Sequence, residues 1–133
     1  MTLAYWMILA AAFVPYIGTA YAKFASGGRK TYDNRAPRAQ MDTLPPQRLR
    51  AHWAQLNGFE AFPPFAAAVI VAHLAGASQY WIDALAGGFV ALRVLYTFFY
   101  IYDKPTLRSL AWLLGVACVV GLFVVAANQP LSR

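Results

Sequence analysis

The sequence contains few charged residues. Only 12% of its 133 residues are Asp, Glu, Lys or Arg, whereas 60% are hydrophobic. A soluble globular domain usually has about 25% charged residues, and long stretches of this chain have none. The composition therefore excludes an ordinary soluble domain and predicts a polytopic membrane protein.

Cysteine is almost absent as well. Because Cys118 is the only one, the chain can form neither an internal disulfide nor a metal site built on cysteines. It lies within an apolar run, where a small buried or lipid-facing side chain is the simplest interpretation. The two histidines, His52 and His73, are not spaced as metal ligands, so no metal is predicted.

The net charge is +6, yet no nucleic-acid-binding motif accompanies it. Seven of the eleven basic residues lie in or beside one segment, residues 25–45: Lys23, Arg29, Lys30, Arg35, Arg38, Arg48 and Arg50. Cytoplasmic loops of membrane proteins carry such an excess of Lys and Arg. We therefore predict that this loop is cytoplasmic and expect no nucleic-acid partner.

Four segments are long and apolar enough to be predicted as spanning helices, since about 20 residues cross a bilayer core. They lie at about residues 3–24, 46–76, 80–102 and 105–128. The last two connections are very short, which makes helices two, three and four antiparallel neighbours. The sequence thus predicts an all-α integral membrane four-helix bundle, with residues 1–133 as one domain.

The basic residues of the loops predict how the bundle is oriented in the membrane. Lys104 and Arg108 flank the third connection, whereas the second, near residues 76–79, has no basic residue. The positive-inside rule then places loops one and three in the cytoplasm and both termini outside. The first segment is expected to be a span, because it lacks the basic start and short apolar core of a signal peptide.

Polar residues interrupt the start of the second predicted helix. Asn57 and Glu60 are three residues apart and share a face. Arg50 lies two turns before Asn57 on that face, and Gln55 lies off the stripe at a similar depth. Ionisable groups inside a membrane are costly and normally face the bundle interior, so this stripe is a candidate functional site.

The third predicted helix has a matching stripe. Arg93, Tyr96 and Tyr100 are spaced i, i+3, i+7 on one face. Glu60 is the predicted partner of Arg93, and Arg108 begins the fourth helix on the same side. The pair could be a structural ion pair beneath an interfacial belt of tyrosines. Alternatively, these residues line a cationic pocket open to the cytoplasm, which suits a carboxylate-bearing anion and favours a thiolate.

Three motifs resemble one known family, the MAPEG proteins (membrane-associated proteins in eicosanoid and glutathione metabolism). WAQLNGFEAFPPF at residues 53–65 resembles the family's second-helix signature, and RVLYTFFY at residues 93–100 resembles its third-helix Arg-x-x-Tyr-x-x-x-Tyr. Arg108 resembles the Arg at the start of its fourth helix. YDNRAPR at residues 32–38 is similar to a bacterial branch. With the size and the single long first loop, the resemblance covers nearly the whole chain.

The resemblance implies a homotrimer in a bacterial inner membrane, with glutathione as cosubstrate between neighbouring subunits near the cytoplasmic face. The implied activity is that of a glutathione transferase or peroxidase acting on lipophilic electrophiles or lipid hydroperoxides. Carried onto this sequence, Arg108 would stabilise the glutathione thiolate, and six residues would contact or position glutathione: Gln55, Asn57, Glu60, Arg93, Tyr96 and Tyr100.

Two features depart from the family pattern, one of which is an extra residue between Tyr100 and Arg108. Glutathione-using members commonly have Arg four residues before the Asn, where this chain has Trp53; Arg50, one turn back, is the candidate substitute. The family also includes a member that binds lipid and partner proteins without catalysis. A non-catalytic membrane protein that binds a lipid or a protein partner is therefore the alternative. Arg35 and Arg38 could hold a carboxylate over the pocket or only set the topology.

Overall fold

A computed structural model describes residues 1–25 and 32–130 of the chain. Two of the predicted loop charges, Arg29 and Lys30, lie outside the described residues. The described chain folds into five helices, α1 (Leu3–Phe13), α2 (Pro15–Phe24), α3 (Pro46–Leu74), α4 (Gln79–Ile101) and α5 (Pro105–Ala127), and a short 3₁₀ helix (Met41–Thr43). No strand occurs in the two described ranges, and the predicted all-helical class is confirmed.

Helices α1 and α2 are separated by a single residue, Val14. The Val14 N–H still donates to the Ala10 carbonyl at 3.0 Å, but Pro15 has no N–H to continue the ladder and begins a new helix. The combined segment Leu3–Phe24 is long and apolar enough to cross a membrane by length and composition, as are α4 and α5.

Helix α3 is the longest, with 29 residues, and its first half carries the polar residues. Three described segments are long and apolar enough to cross a membrane, and this helix is not one of them. Its crossing of the membrane therefore stays a prediction. Pro63 and Pro64 lie inside the helix. Because proline has no N–H, the carbonyls of Phe59 and Glu60 lose their usual helical donors. The bend predicted at these prolines stays a prediction.

The helices pack as successive antiparallel neighbours, with α2 against α3, α3 against α4 and α4 against α5. At one end, here called the loop end, Arg48 donates to the carbonyls of Ala22 and Lys23 at 2.6 and 3.2 Å. At the opposite, far end, Thr2 and His73 form a hydrogen bond of 3.0 Å. The predicted polar residues of α3, α4 and α5 all lie toward the loop end.

Small residues allow close packing of α2 on α3. A Cβ atom added at Gly18 would lie 2.5 Å from the carbonyl oxygen of Ala51. Toward the far end, Phe65 of α3 and Phe89 of α4 stack with ring centroids 4.0 Å apart and planes at 8°. Both rings are buried in the largest apolar cluster of the described residues. This core holds α3 and α4 side by side and so positions their polar residues nearer the loop end.

A tight turn connects α4 to α5. Asp103 adopts a left-handed backbone conformation with φ of 56°. The Lys104 N–H donates to the Phe99 carbonyl at 2.8 Å, and the Asp103 N–H donates to the Tyr100 carbonyl at 3.3 Å. These bonds satisfy two of the last carbonyls of α4 and bring the first turn of α5 beside Tyr100.

Candidate functional site

Helices α3, α4 and α5 enclose two adjoining cavities. The polar cavity has a volume of about 240 Å³ and is lined by Asn57, Tyr96, Tyr100, Arg108, Ser109 and Trp112. The apolar groove has a volume of about 350 Å³ and is lined by Asn57, Glu60, Ala61, Pro64, Phe89, Arg93, Trp112, Gly115, Val116 and Val119. Asn57 and Trp112 line both cavities, so a polar compartment adjoins an apolar one.

A chain of side chains crosses the boundary between the two cavities. The Arg93 guanidinium donates from Nη2 to Asn57 Oδ1 at 2.9 Å, and Asn57 Nδ2 lies 3.4 Å from Glu60 Oε2. The prediction of a direct ion pair between Glu60 and Arg93 is therefore wrong. The amide of Asn57 lies between the two charges because it can accept from Arg93 and donate to Glu60 at once.

Arg93 is buried although it is charged, with only 4% of its surface exposed. Its guanidinium lies over the Tyr96 ring, 4.1 Å from the ring centroid, which adds a cation–π interaction to the bond with Asn57. Arg93 therefore lies at the buried side of the site, where Asn57 and Tyr96 hold its guanidinium. Glu60 is exposed at its edge.

The polar cavity presents a second guanidinium. Arg108, in the first turns of α5, lies 4.4 Å from the centroid of the Tyr100 ring. Tyr100 in turn meets Tyr96 edge to face, with centroids 5.7 Å apart. Within the described ranges, no side-chain hydrogen bond occupies the Arg108 guanidinium, which therefore has five N–H donors for an anion.

Trp53 lies near Tyr100, one of the residues that line the polar cavity. Its ring centroid is 6.4 Å from that of Tyr100, and 45% of its surface is exposed. Trp53 therefore places an aromatic surface beside Tyr100.

Arg50 does not line either cavity. It donates from Nε and Nη2 to the Ile101 carbonyl, both at 3.4 Å. The last carbonyls of a helix lack intrahelical donors and attract cations, so this arginine contacts the end of α4. The predicted polar stripe of α3 thus begins at Asn57.

Gln55 lies on the other side of α3. It lines a third cavity of about 540 Å³ between α2, α3 and the loop, here called the outer cavity, together with Thr19, Lys23, Pro37, Arg38, Met41, His52, Leu56 and Phe59. Residues two positions apart in a helix point in nearly opposite directions. One chain therefore does not bring Gln55 and Asn57 to the same cavity.

The loop residues 32–43 form a compact segment beside the outer cavity. Gln40 accepts from the Asp33 N–H at 2.9 Å, and its amide nitrogen donates to the Ala36 carbonyl at 3.0 Å and to the Asp33 carbonyl. Arg38 lines the outer cavity, whereas Arg35 lines none of the three described cavities. Neither arginine lies over the polar cavity in this chain.

Sequence reasoning missed the residues of α5 that complete the site. Ser109 and Trp112 line the polar cavity, and neither is among the site residues predicted from the sequence. The spacing of Trp112 at i+4 from Arg108 was the available signal, because residues four apart share a helix face. Within the described residues, no group of His, Cys, Asp and Glu side chains could hold a metal ion.

Comparison with known proteins identifies one family. The family model described as the MAPEG family matches residues 3–128, nearly the whole chain. No curated protein and no solved structure matches the chain. The match agrees with the motifs of α3, α4 and α5 and with the integral membrane character of the bundle.

Proposed function

The chain belongs to the MAPEG family, and we propose that it is a membrane-bound, glutathione-dependent transferase or peroxidase. Its substrates would be lipophilic electrophiles or lipid hydroperoxides. The family is generally associated with glutathione, and three helical segments of the chain have the length and composition of membrane spans.

One observation carries the proposal: a cationic, tyrosine-lined cavity adjoins an apolar groove. Glutathione is a water-soluble anion with two carboxylates and a thiol, and its cosubstrate is apolar. The polar cavity offers Arg108 to the anion, and the groove offers Phe89 and Val116 to an apolar molecule. The two reactants would meet beside Asn57 and Trp112, which line both cavities, and catalysis would come largely from this proximity.

Arg108 is proposed to stabilise the glutathione thiolate. A guanidinium near a thiol favours the charged, nucleophilic form. In transfer, the sulfur forms a bond to an electrophilic carbon, and the electron pair of the bond that breaks leaves with the displaced group. In peroxide reduction, the sulfur attacks the terminal oxygen, the O–O bond breaks, and the alkoxide takes a proton. A second glutathione then converts the sulfenic acid to the disulfide and water.

The other residues would bind and orient the tripeptide. Tyr96 and Tyr100 supply hydroxyl groups, while Asn57, with Glu60 beside it, positions Arg93 through the contacts described above. In the proposed homotrimer, a neighbouring subunit covers the open side of this site. Gln55 can contribute to it only from a neighbouring copy, because it lines the outer cavity of its own chain. Arg50 would act indirectly through the end of α4.

The proposed setting is a bacterial inner membrane with both termini outside. The loop end carries Lys23, Arg38 and Lys104, and Lys and Arg are enriched in cytoplasmic loops. The site lies toward this end, where glutathione from the cytoplasm could enter. With Cys118 replaced by Ala, single cysteines introduced at exposed Ala39 and Gln79, one toward each end of the bundle, would test this orientation by their reaction with cysteine-specific reagents.

A second candidate function is supported by Trp53. The indole occupies the position of a family arginine and lies beside Tyr100, so one cation available to a carboxylate is missing. A non-catalytic protein that binds a lipid or a protein partner would not need that cation. Glutathione binding distinguishes the two functions.

The test is calorimetric titration of the detergent-purified oligomer with glutathione. We expect saturable binding that Arg108→Ala weakens by about 10- to 100-fold, since a hydrogen bond to a charged group contributes roughly 1.5–3 kcal/mol. The matched control is Arg35→Ala, which lies outside all three cavities and should bind as the parent protein does. The ultraviolet absorbance of the bound thiolate should also disappear in Arg108→Ala. No binding at millimolar glutathione by an intact oligomer would refute the proposal and favour the second function.

A further inference from the structure

The apolar groove contains a backbone acceptor that lacks its helical donor, and we propose that this acceptor binds the terminal O–H of a lipid hydroperoxide. The acceptor is the carbonyl oxygen of Glu60, whose donor is missing because Pro64, inside α3, has no N–H. This inference rests on the proposed function and narrows it. A hydroperoxide, rather than an electrophile without an O–H, becomes the cosubstrate that the groove recognises.

Helical geometry gives the position of this carbonyl. Four residues of α3 line the groove with the spacing i, i+3, i+4 and i+7, namely Asn57, Glu60, Ala61 and Pro64. In a helix the carbonyl of residue i points toward the N–H of residue i+4. The Glu60 carbonyl therefore points toward Pro64 along the face of α3 that lines the groove.

The preceding proline provides a contrast within the same helix. Pro63 removes the helical donor of the Phe59 carbonyl in the same way, but Phe59 lines the outer cavity, on the other side of α3. Pro63 itself lines none of the three described cavities. Of the two carbonyls that lose a donor, only that of Glu60 lies on the groove side.

The polar side chains next to this carbonyl bond to one another. Arg93 Nη2 donates to Asn57 Oδ1 at 2.9 Å, and Asn57 Nδ2 lies 3.4 Å from Glu60 Oε2. Neither bond reaches the Glu60 carbonyl. A backbone acceptor without a donor is costly at membrane depth, where little water replaces the helical partner. An O–H group of a molecule in the groove would supply the missing donor.

The carbonyl lies between the polar and the apolar parts of the groove. Asn57, one turn before Glu60, also lines the polar cavity, whereas Pro64 lies about 6 Å beyond Glu60 along the helix axis. Phe89 and Val116 form apolar wall of the groove. A lipid hydroperoxide whose chain contacts this wall would have its O–O group beside Glu60, close to the thiolate proposed in the polar cavity.

The hydrogen bond would orient the terminal oxygen for attack. The glutathione sulfur forms a bond to that oxygen, the O–O bond breaks, and its electron pair leaves with the lipid alkoxide, which takes a proton from water. The O–H proton stays on the attacked oxygen, which becomes part of the sulfenic acid. The carbonyl neither gains nor loses a proton, so its contribution is the orientation of the substrate.

The experiment compares Pro64→Ala with Pro63→Ala in the detergent-purified oligomer. Alanine at position 64 supplies an N–H to the Glu60 carbonyl, and alanine at position 63 supplies one to the Phe59 carbonyl on the other side of the helix. The readout is the ratio of kcat/KM for cumene hydroperoxide to that for chlorodinitrobenzene, which has no O–H. Because both reactions use glutathione, changes in the glutathione site cancel in this ratio.

We expect the ratio to fall about three- to tenfold in Pro64→Ala, the effect of losing one hydrogen bond. Pro63→Ala should keep the ratio of the parent protein. Pro64→Val restores the same N–H with a larger side chain and should lower the ratio as Pro64→Ala does. Size-exclusion chromatography checks that each variant forms the same oligomer as the parent.

A binding measurement separates this inference from the proposed function. Cumyl alcohol and its methyl ether do not react, so calorimetry with the two compounds tests the O–H contact without turnover. The ratio of alcohol affinity to ether affinity should be about three- to tenfold higher in the parent than in Pro64→Ala. A parent protein that shows this difference but no turnover with glutathione would support the contact and refute glutathione-dependent catalysis.

Three results would overturn the proposal: an unchanged kcat/KM ratio in Pro64→Ala, an equal fall in Pro63→Ala, or an affinity ratio that does not depend on position 64. Glu60→Gln tests the side chain of the same residue. Loss of the preference for the O–H in Glu60→Gln, with the preference intact in Pro64→Ala, would assign the contact to the carboxylate and refute the carbonyl.

Discussion

The contact between Arg93 and Asn57 predicts which residue stabilises the buried cation. We expect Asn57→Ala to destabilise the bundle more than Glu60→Gln does. In Asn57→Ala the Arg93 guanidinium, 4% exposed, loses the acceptor that lies at 2.9 Å. In Glu60→Gln that acceptor stays, and only an exposed contact of 3.4 Å changes.

The magnitudes follow from burial. A hydrogen bond to a charged group contributes about 1.5–3 kcal/mol, and leaving the charged donor buried adds to the loss. We therefore expect Asn57→Ala to lower the free energy of unfolding by about 2–3 kcal/mol. Glu60→Gln should lower it by less than about 1 kcal/mol, the usual range for exposed charge interactions. If Glu60 directly neutralised Arg93, its loss would instead cost about 3–5 kcal/mol.

The assay is unfolding in mixed detergent micelles followed by circular dichroism, without glutathione. A double-mutant cycle with Arg93→Met isolates the pair, because Asn57→Ala should become nearly neutral once the guanidinium is gone. A Glu60→Gln variant that is destabilised as much as Asn57→Ala would refute this reasoning, as would strict additivity of Asn57→Ala and Arg93→Met.

Two further predictions concern backbone positions, and thermal unfolding in detergent checks both. Gly18→Ala should lower the free energy of unfolding by about 1–3 kcal/mol, because its Cβ would lie 2.5 Å from the Ala51 carbonyl oxygen. Gly87→Ala has nothing within 4 Å of its Cβ and should instead raise the free energy of unfolding by roughly 0.5–1 kcal/mol. Equal effects of the two alanines would contradict the close packing of α2 on α3. Asp103→Gly should raise the free energy of unfolding by about 1 kcal/mol, because a φ of 56° is unfavourable for a residue with a Cβ atom and not for glycine. A lower melting temperature would show that the Asp103 side chain is needed at the turn.

The sequence predicted those parts of the site that depend on helical periodicity alone. The spacing of Arg93, Tyr96 and Tyr100 placed them on one face, and in the structure the Arg93 guanidinium lies over Tyr96, which meets Tyr100. The position of Arg108 beside Tyr100 followed from the short turn between α4 and α5. Apolar length likewise predicted that the chain is a bundle of long helices.

Contacts between helices were not predictable in the same way. Periodicity gives the face of a residue but not the atom that a long side chain reaches, so Arg50 was assigned to the polar stripe although it contacts the Ile101 carbonyl. Opposite charges suggested a direct bond between Glu60 and Arg93, whereas the amide of Asn57 lies between them. In both cases the distances between side chains of different helices determine the hydrogen-bond partner, and these distances cannot be read from the sequence.

The two arginines near the start of α3 have a mechanical consequence. Arg48 bonds to the last carbonyls of α2, and Arg50 bonds to the last carbonyl of α4. Sliding α3 by one turn, about 5.4 Å, would break both sets of bonds, so they oppose shear between three helices. When the surrounding bilayer is thinner or thicker than the apolar band, the bundle should respond by tilting as one body or by deforming the lipid. The polar cavity and the apolar groove would then keep their relative depth in membranes of different thickness.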